Sequence, residues 1–309
     1  LTEATDVGCG YTQPGYVASL AEFGMPTRLP RSGGWLLERP IRDTGHRDFM
    51  GPYPLFACSD WTQLGRDLDD LAGLAVSVVL VADPLASVDP DVLRTAFPDR
   101  VVLFKHHLVR DVMQPAPLPS HHRRHLRRAA RSVEVEVVRQ PVRYLKDWTG
   151  LYAALVAKHG LRGIRAFSPD SFSRQLSLPG MLAVRADIGG DSVAMALWLV
   201  DGERAYYHLG ASSDAGRSVG ASYAVFDRAL DHLGECGVRL VDFGGVAGGE
   251  IRNDGLSRFK AGWANGQRPT YLCGRVLAPA PYAALTASIR APGSWFPAYR
   301  AADPDASGP

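Results

Sequence analysis

The sequence has few of the features that define several common protein classes. Its four cysteines, Cys9, Cys58, Cys236 and Cys273, stand far apart, and no two form a C-x-x-C pair. A disulfide framework or a cysteine zinc cluster needs denser spacing, so reduced thiols in a cytoplasmic protein are expected. Long apolar runs are missing: the longest, 74–82, is about half of the ~20 residues that a membrane span needs. The first ten residues carry Glu3 and Asp6 and have no apolar stretch, so no signal peptide is read there. Net charge is only +2, too small for bulk electrostatics to select or exclude nucleic acid. No G-x-x-x-x-G-K-[ST] phosphate loop occurs. The adjacent pairs His106-His107 and His121-His122 lack metal-ligand spacing with a nearby carboxylate, so no metal site is expected.

What is present is an ordinary globular balance, with 46% hydrophobic and 21% charged residues over 309 positions. That length suits about two domains. In the first half, Leu64, Leu68 and Leu71 share one helical face, and 76–82 reads as a buried β-branched strand. Asp89 to Phe97 reads as a helix with Pro90 at its first position, and Arg100 to Phe104 as the next strand. The segment 113–119 holds three prolines and no periodicity, which makes it the boundary candidate. The domains expected are therefore 11–118 and 119–300.

In the second half, Ser120 is placed to cap a helix over 121–130, and Val133, Val135 and Val137 alternate with glutamates as in a half-buried strand. Met181 to Ile188, Ser192 to Val200 and Arg204 to Leu209 are separated by Gly- and Asp-containing turns, the pattern of three antiparallel strands. A loop over 211–217, a helix from 218 to 236, a strand over 238–243, a short helix over 255–263 and a strand over 269–277 follow. Such alternation predicts an α/β (α+β) fold of tandem halves, each a mixed, mostly antiparallel sheet flanked by helices.

Three segments carry candidate chemistry. In the first, a Gly-containing helix entry at Ala215-Gly216-Arg217-Ser218-Val219-Gly220-Ala221 offers backbone N–H groups that can cradle an anion. Arg217 and Gly220 are its candidate donor-binding residues, although a helix entry of this kind equally occurs with no ligand. The second is the stretch 121–131, with five arginines and three histidines and no acid between Asp111 and Glu134. Arg123, Arg124 and Arg127 on it can meet the phosphates of tRNA or of coenzyme A, or form a solvated face. The third is Tyr206 to Ser212, Val241-Asp242-Phe243-Gly244-Gly245 and Gly255 to Trp263 in succession.

In that order and at those intervals, "YxLGAS", "DFGG" and "FKxGW" resemble the C-terminal part of the Fem-type (FemABX) aminoacyl and peptidyl transferases, members of the GNAT acyltransferase superfamily. The Arg123 to Val138 segment and Phe49-Met50-Gly51-Pro52-Tyr53 are similar to further motifs of that group, so the likeness spans about 35–277. It implies transfer of an acyl group from an activated donor, aminoacyl-tRNA or acyl-CoA, to the amine of a small-molecule or peptide acceptor, with no cofactor beyond the donor. A base and oxyanion donors are then required. Lys260 matches the family lysine and would stabilise developing negative charge. Asp242 would hold the amine or take its proton, or alternatively pair with Arg239 as a strand-end carboxylate. His208, with Tyr206 on the same strand face, could serve as a base near neutral pH, though a lone strand histidine is more often structural. Phe259, Arg258 and Arg252 would lie on the donor side, and Asp111 and Tyr206 on the acceptor side. A lysine that the family places near its N-terminal tryptophan has no match: Trp35 is followed by Glu38 and Arg39. This departs from a cell-wall precursor acceptor. A non-catalytic GNAT-like binding protein is the remaining reading.

Overall fold

The computed structural model describes residues 8–245, 255–287 and 295–302. In chain order its elements are α1 (Pro14–Ala18), β1 (Met25–Arg28), β2 (Trp35–Pro40), β3 (Arg47–Met50), α2 (Leu64–Asp70), β4 (Ser77–Val81), α3 (Pro90–Ala96), β5 (Arg100–Asp111), α4 (Ser120–Ala129), β6 (Glu134–Val138), α5 (Leu145–His159), α6 (Pro169–Leu176), β7 (Met181–Ile188), β8 (Asp191–Asp201), β9 (Arg204–Ser212), α7 (Asp214–Val219), α8 (Ala221–Glu235), β10 (Leu240–Gly245), α9 (Gly255–Ala261), β11 (Gly266–Val276) and α10 (Pro279–Thr286). Arg252 lies outside the described residues. No helix among the described residues is long and apolar enough to cross a membrane.

The chain forms two compact units. The first comprises residues 1–104, 162–167 and 269–309; the second comprises 105–161 and 168–268. This division differs from the expected 11–118 and 119–300, and strand pairing gives the reason. β11 pairs antiparallel with β4, Leu272 opposite Val81, and so returns the C-terminal segment to the first unit. β5 does not stop at Phe104 but runs to Asp111, where it pairs with β10.

In the first unit the strand order is β1-β2-β3-β4-β11, antiparallel except for β3 beside β4. Its core gathers Leu36, Phe49, Phe56, Leu64, Leu68, Leu80 and Phe97. The i, i+4 leucines of α2 lie on the face packed inward, as their spacing demands. Pro90 opens α3 and the Asp89 side chain accepts from the Asp91 amide, a proline-initiated, aspartate-capped start.

In the second unit the order is β5-β10-β9-β8-β7-β6, antiparallel except for β10 beside β9. The meander β7-β8-β9 matches the three strands read from the turns. One face buries Val184, Ala186, Ala194, Ala196, Trp198, Ala205, Val241 and Phe243 against Val225, Phe226, Ala229 and Leu233 of α8. Small residues on the strands let the helix come close, and its larger side chains fill the space. Ser120 stands inside α4 and Pro119 takes the cap position, so the expected serine cap is not formed. Ser168 does cap α6, accepting from the Ser171 amide at 3.1 Å.

Candidate active site

Asp242 and His107 form the buried polar centre of the second unit. Asp242 sits on β10 between Val241 and Phe243, both of which join the apolar core with α8. Strand alternation therefore turns the Asp242 carboxylate to the opposite face. There, His107 Nδ1 lies 2.8 and 3.1 Å from its two oxygens. Both residues are buried, His107 at 7% and Asp242 at 2% exposure. A carboxylate accepts only, so Nδ1 donates and the basic lone pair of His107 resides on Nε2. The Gly244 amide adds a 2.7 Å hydrogen bond to Asp242 Oδ1.

Gly244 adopts φ +83°, a left-handed turn that a side chain would strain. A Cβ built there would also stand 3.3 Å from Lys260 Nζ. The lysine, buried at 9% exposure on α9, lies over the Tyr207 ring with Nζ 5.5 Å from the centroid. Tyr207 in turn packs on Trp198 and Phe226, and burial raises its phenol pKa. Its hydroxyl rests on Gly210, where any Cβ would stand 2.2 Å from it. Gly244 thus leaves bare backbone beside the Lys260 Nζ, and Gly210 makes room for the Tyr207 hydroxyl.

The other predicted residues fall as follows. Tyr206 is buried and is the register partner of Asp242 on β9, so the two share a face. His208 occupies a bulge: Leu197 is opposite Leu209 while Trp198 is opposite Tyr207, which leaves His208 as the additional residue. Its Nε2 lies 3.1 Å from Gln175 Oε1 of α6, and burial lowers its pKa to about 3. A histidine that resists protonation this strongly is ill suited to accept a proton near neutrality. Asp111 is committed to a turn: its carboxylate accepts from the Met113 amide at 3.0 Å and from Gln114 Nε2 at 2.8 Å. Phe259 belongs to an aromatic cluster with Tyr223, Phe226, Trp263 and His122, at centroid distances of 4.7 to 6.2 Å.

The expected loop over 211–217 is absent as a loop. β9 continues to Ser212, and Ser213 caps α7 by accepting from the Gly216 amide. Arg217 is bound by Asp214 and the Ser212 carbonyl. Gly220, at φ +80°, ends α7 and starts α8, with His125 Nδ1 3.3 Å from its would-be Cβ. His125 also stacks on Tyr223, centroids 4.4 Å apart. The backbone proposed as an anion cradle is therefore folded into a helix and lined by α4. Gly216 to Gly220 also spells G-x-S-x-G, but Ser218 lies within α7 and donates to the Ala215 carbonyl at 2.7 Å, unlike the strand-to-helix elbow of hydrolases.

Helix α4 presents Arg123, Arg124, Arg127 and Arg128 to solvent and turns His122 and Ala129 inward. His122 Nε2 lies 2.9 Å from the Phe259 carbonyl, and burial lowers its pKa. Arg258 is exposed on α9. Burial raises the phenol pKa of Tyr223 at the first turn of α8, and the positive charges of Arg258 and Arg124 partly offset this. Among the described residues, no group of His, Cys, Asp and Glu is arranged to hold a metal.

The reading from sequence missed His107 and the role of Tyr207. Tyr207 was within reach, since it is the tyrosine of the "YxLGAS" match. His107 had no local signal: only the pairing of β5 with β10 brings it to Asp242 across 135 positions.

Comparison with known proteins bears on the fold. The family model described as an acetyltransferase (GNAT) domain matches residues 120–261. No curated protein sequence matches the chain. Among solved structures, FemX superposes with a TM-score of 0.64 at 14% identity, over 88% of this chain and 93% of that one. The C-terminal domain of a protein described as a lysylphosphatidylglycerol synthetase of Agrobacterium fabrum gives 0.61 at 20% identity, over 87% and 89%. L-PGS of Bacillus licheniformis gives 0.55 at 13% identity, over 87% and 93%. Residues 120–261 thus match a GNAT acetyltransferase domain model, in a chain that shares the fold of FemX and L-PGS.

Proposed function

We propose that the chain is an aminoacyltransferase that moves an aminoacyl group from aminoacyl-tRNA to the amine of a small-molecule or peptide acceptor. The observation that carries this reading is the Gly244 turn, where a buried Lys260 ammonium and the Asp242–His107 pair meet one stretch of bare backbone. In the proposed reaction the acceptor nitrogen attacks the ester carbonyl carbon. His107 Nε2 takes the amine proton, while Asp242 fixes the ring tautomer and orientation, so the aspartate positions the base instead of acting as one. Lys260 stabilises the oxyanion as it forms. The ester C–O bond then breaks, and the proton passes to the leaving ribose oxygen. Tyr206, beside Asp242, would help to hold the acceptor.

Two observations favour tRNA over coenzyme A as the donor. The exposed arginines of α4, in a stretch with no acid between Asp111 and Glu134, and the exposed Arg258 of α9 suit a polyphosphate backbone. The segment proposed to cradle a pyrophosphate is instead closed into α7 and flanked by His125. The test compares bulk aminoacyl-tRNA, by mobility shift at two salt concentrations, with coenzyme A by thermal shift. Saturable tRNA binding is expected, and Arg124→Gln with Arg127→Gln should reduce the slope of log K against log salt by about 1.5. Stabilisation by coenzyme A with no retention of tRNA would overturn the choice of donor. Transfer that survives Lys260→Ala unchanged would overturn the placement of the chemistry.

A further inference from the structure

His122 of α4 is fully buried, and its imidazole rests against residues on either side of Lys260. On one side, Nε2 lies 2.9 Å from the Phe259 carbonyl oxygen. A carbonyl only accepts, so Nε2 carries the proton and donates it. On the other side, the ring fills the space that a side chain at Gly262 would need: a Cβ there would stand 2.0 Å from Cε1 and 2.4 Å from Nε2. Tyr223 and Trp263 meet the ring edge to face, each with its centroid 4.9 Å away. Nδ1, left as an acceptor, lies 2.8 Å from His121 Nε2. Burial lowers the His122 pKa, which keeps the ring neutral and this tautomer in place near pH 7.

The hydrogen bond to Phe259 falls where α9 needs one. The helix spans Gly255–Ala261, so the Phe259 carbonyl is among its last four, which find no partner within the helix. The Trp263 amide, four residues on, bonds to the Lys260 carbonyl at 3.1 Å. His122 thus caps the end of α9 from a different helix. Seven residues are far fewer than the ~12–15 at which an isolated helix becomes even marginally stable, so α9 keeps its place through contacts of this kind. Lys260 stands directly between the two points of contact, with Nζ beside Gly244 and over the Tyr207 ring. Any shift of α9 is passed to that ammonium, and a displacement of about 1 Å can cost about 10²-fold in rate.

We propose that His122 is a positioning residue for Lys260: it docks α9 on α4 through the Phe259 carbonyl and so sets where the ammonium stands beside Gly244. The helix whose arginines face the proposed tRNA donor thereby also seats the lysine. This role rests on the reading of Lys260 as the group that stabilises the oxyanion, but the placing of Lys260 by a donor on α4 is measurable without any substrate.

The experiment compares His122→Gln and His122→Leu in the full chain. Glutamine presents an amide N–H near the position of Nε2 and keeps the donor, whereas leucine fills a similar volume and has none. The first readout is trace labelling with acetic anhydride, with the rate at Lys260 read by peptide mass spectrometry against the exposed Lys146 and Lys158. Lys260 should react about tenfold faster or more in His122→Leu than in the parent, and within about threefold of the parent in His122→Gln. The second readout is transfer. In His122→Leu, kcat should fall about tenfold or more with the KM for aminoacyl-tRNA little changed, because Lys260 acts on the transition state and the arginines of α4 are untouched. Glutamine should restore most of that loss. If His122→Leu does not fold, Gly262→Ala takes its place, since the added methyl must displace the ring from α9 while the imidazole itself remains, and Lys260 should again label faster. Lys260 labelling equal to the parent's in the leucine variant, or glutamine no better than leucine, would overturn the proposal. So would faster labelling with an unchanged kcat. A parent chain that transfers nothing would count against the proposed donor and acceptor alone, and the labelling would still decide whether α4 places the lysine.

Discussion

Replacing Asp242 with asparagine tests the proposed centre most directly, because it changes one oxygen and almost no volume. The carboxylate accepts from His107 Nδ1 and from the Gly244 amide at 2.8 and 2.7 Å, in a setting that excludes water. A carboxamide has one acceptor oxygen and one NH2 group. If the oxygen faces Gly244, the NH2 faces His107 and forces the proton from Nδ1 to Nε2, which removes the proposed base. If the oxygen faces His107, the NH2 meets the Gly244 N–H donor to donor. The first orientation keeps both hydrogen bonds, and the second leaves a buried donor unpaired, at a cost of about 1–3 kcal/mol in stability. The first orientation should lower the rate of amide formation by about 10²–10⁴-fold. Urea unfolding followed by tryptophan fluorescence measures the first quantity, and single-turnover transfer measures the second. His107→Gln should cause a similar rate loss, and the double variant should lose little more than either single change, because the two residues act as a unit. Rates within about threefold of the parent for both Asp242→Asn and His107→Gln would refute the reasoning, and would make the pair a structural contact between β5 and β10.

Other consequences can be measured without knowing the substrate. His208 is buried with its pKa lowered to about 3, below the value of about 6.5 expected in the unfolded chain. The unfolded state therefore binds the proton first, and stability is lost as pH falls from about 6.5 toward 3, by up to about 1.4 kcal/mol per pH unit from this residue. His208→Leu should flatten the decline between pH 7 and pH 5 in urea unfolding, and an unchanged slope would contradict the assignment. Gly262→Ala should destabilise the second unit by about 1–3 kcal/mol, because its Cβ would stand 2.0 Å from His122 Cε1 in the aromatic cluster. Calorimetric unfolding would detect the loss, and a melting temperature equal to the parent would refute it.

The sequence by itself determined the elements whose signals are local. The β7-β8-β9 meander followed from the apolar runs between glycine turns, and α2 and α3 from helical spacing and a proline start. The motif order 206–212, 241–245 and 255–263 falls largely within the region that the GNAT family model matches, and it named Lys260 and Asp242, each of which adjoins Gly244. Tertiary structure decided what depends on partners distant in the chain. Strand pairing placed the C-terminal segment with the first unit and extended β5 to Asp111, which no propensity over 100–111 could reveal. It also gave two histidines different settings: a bulge and Gln175 hold His208, while β5 carries His107 to Asp242. A residue type and its spacing specify what a side chain can do. Which carboxylate it meets, and how far from water, is fixed only when the sheet closes around it.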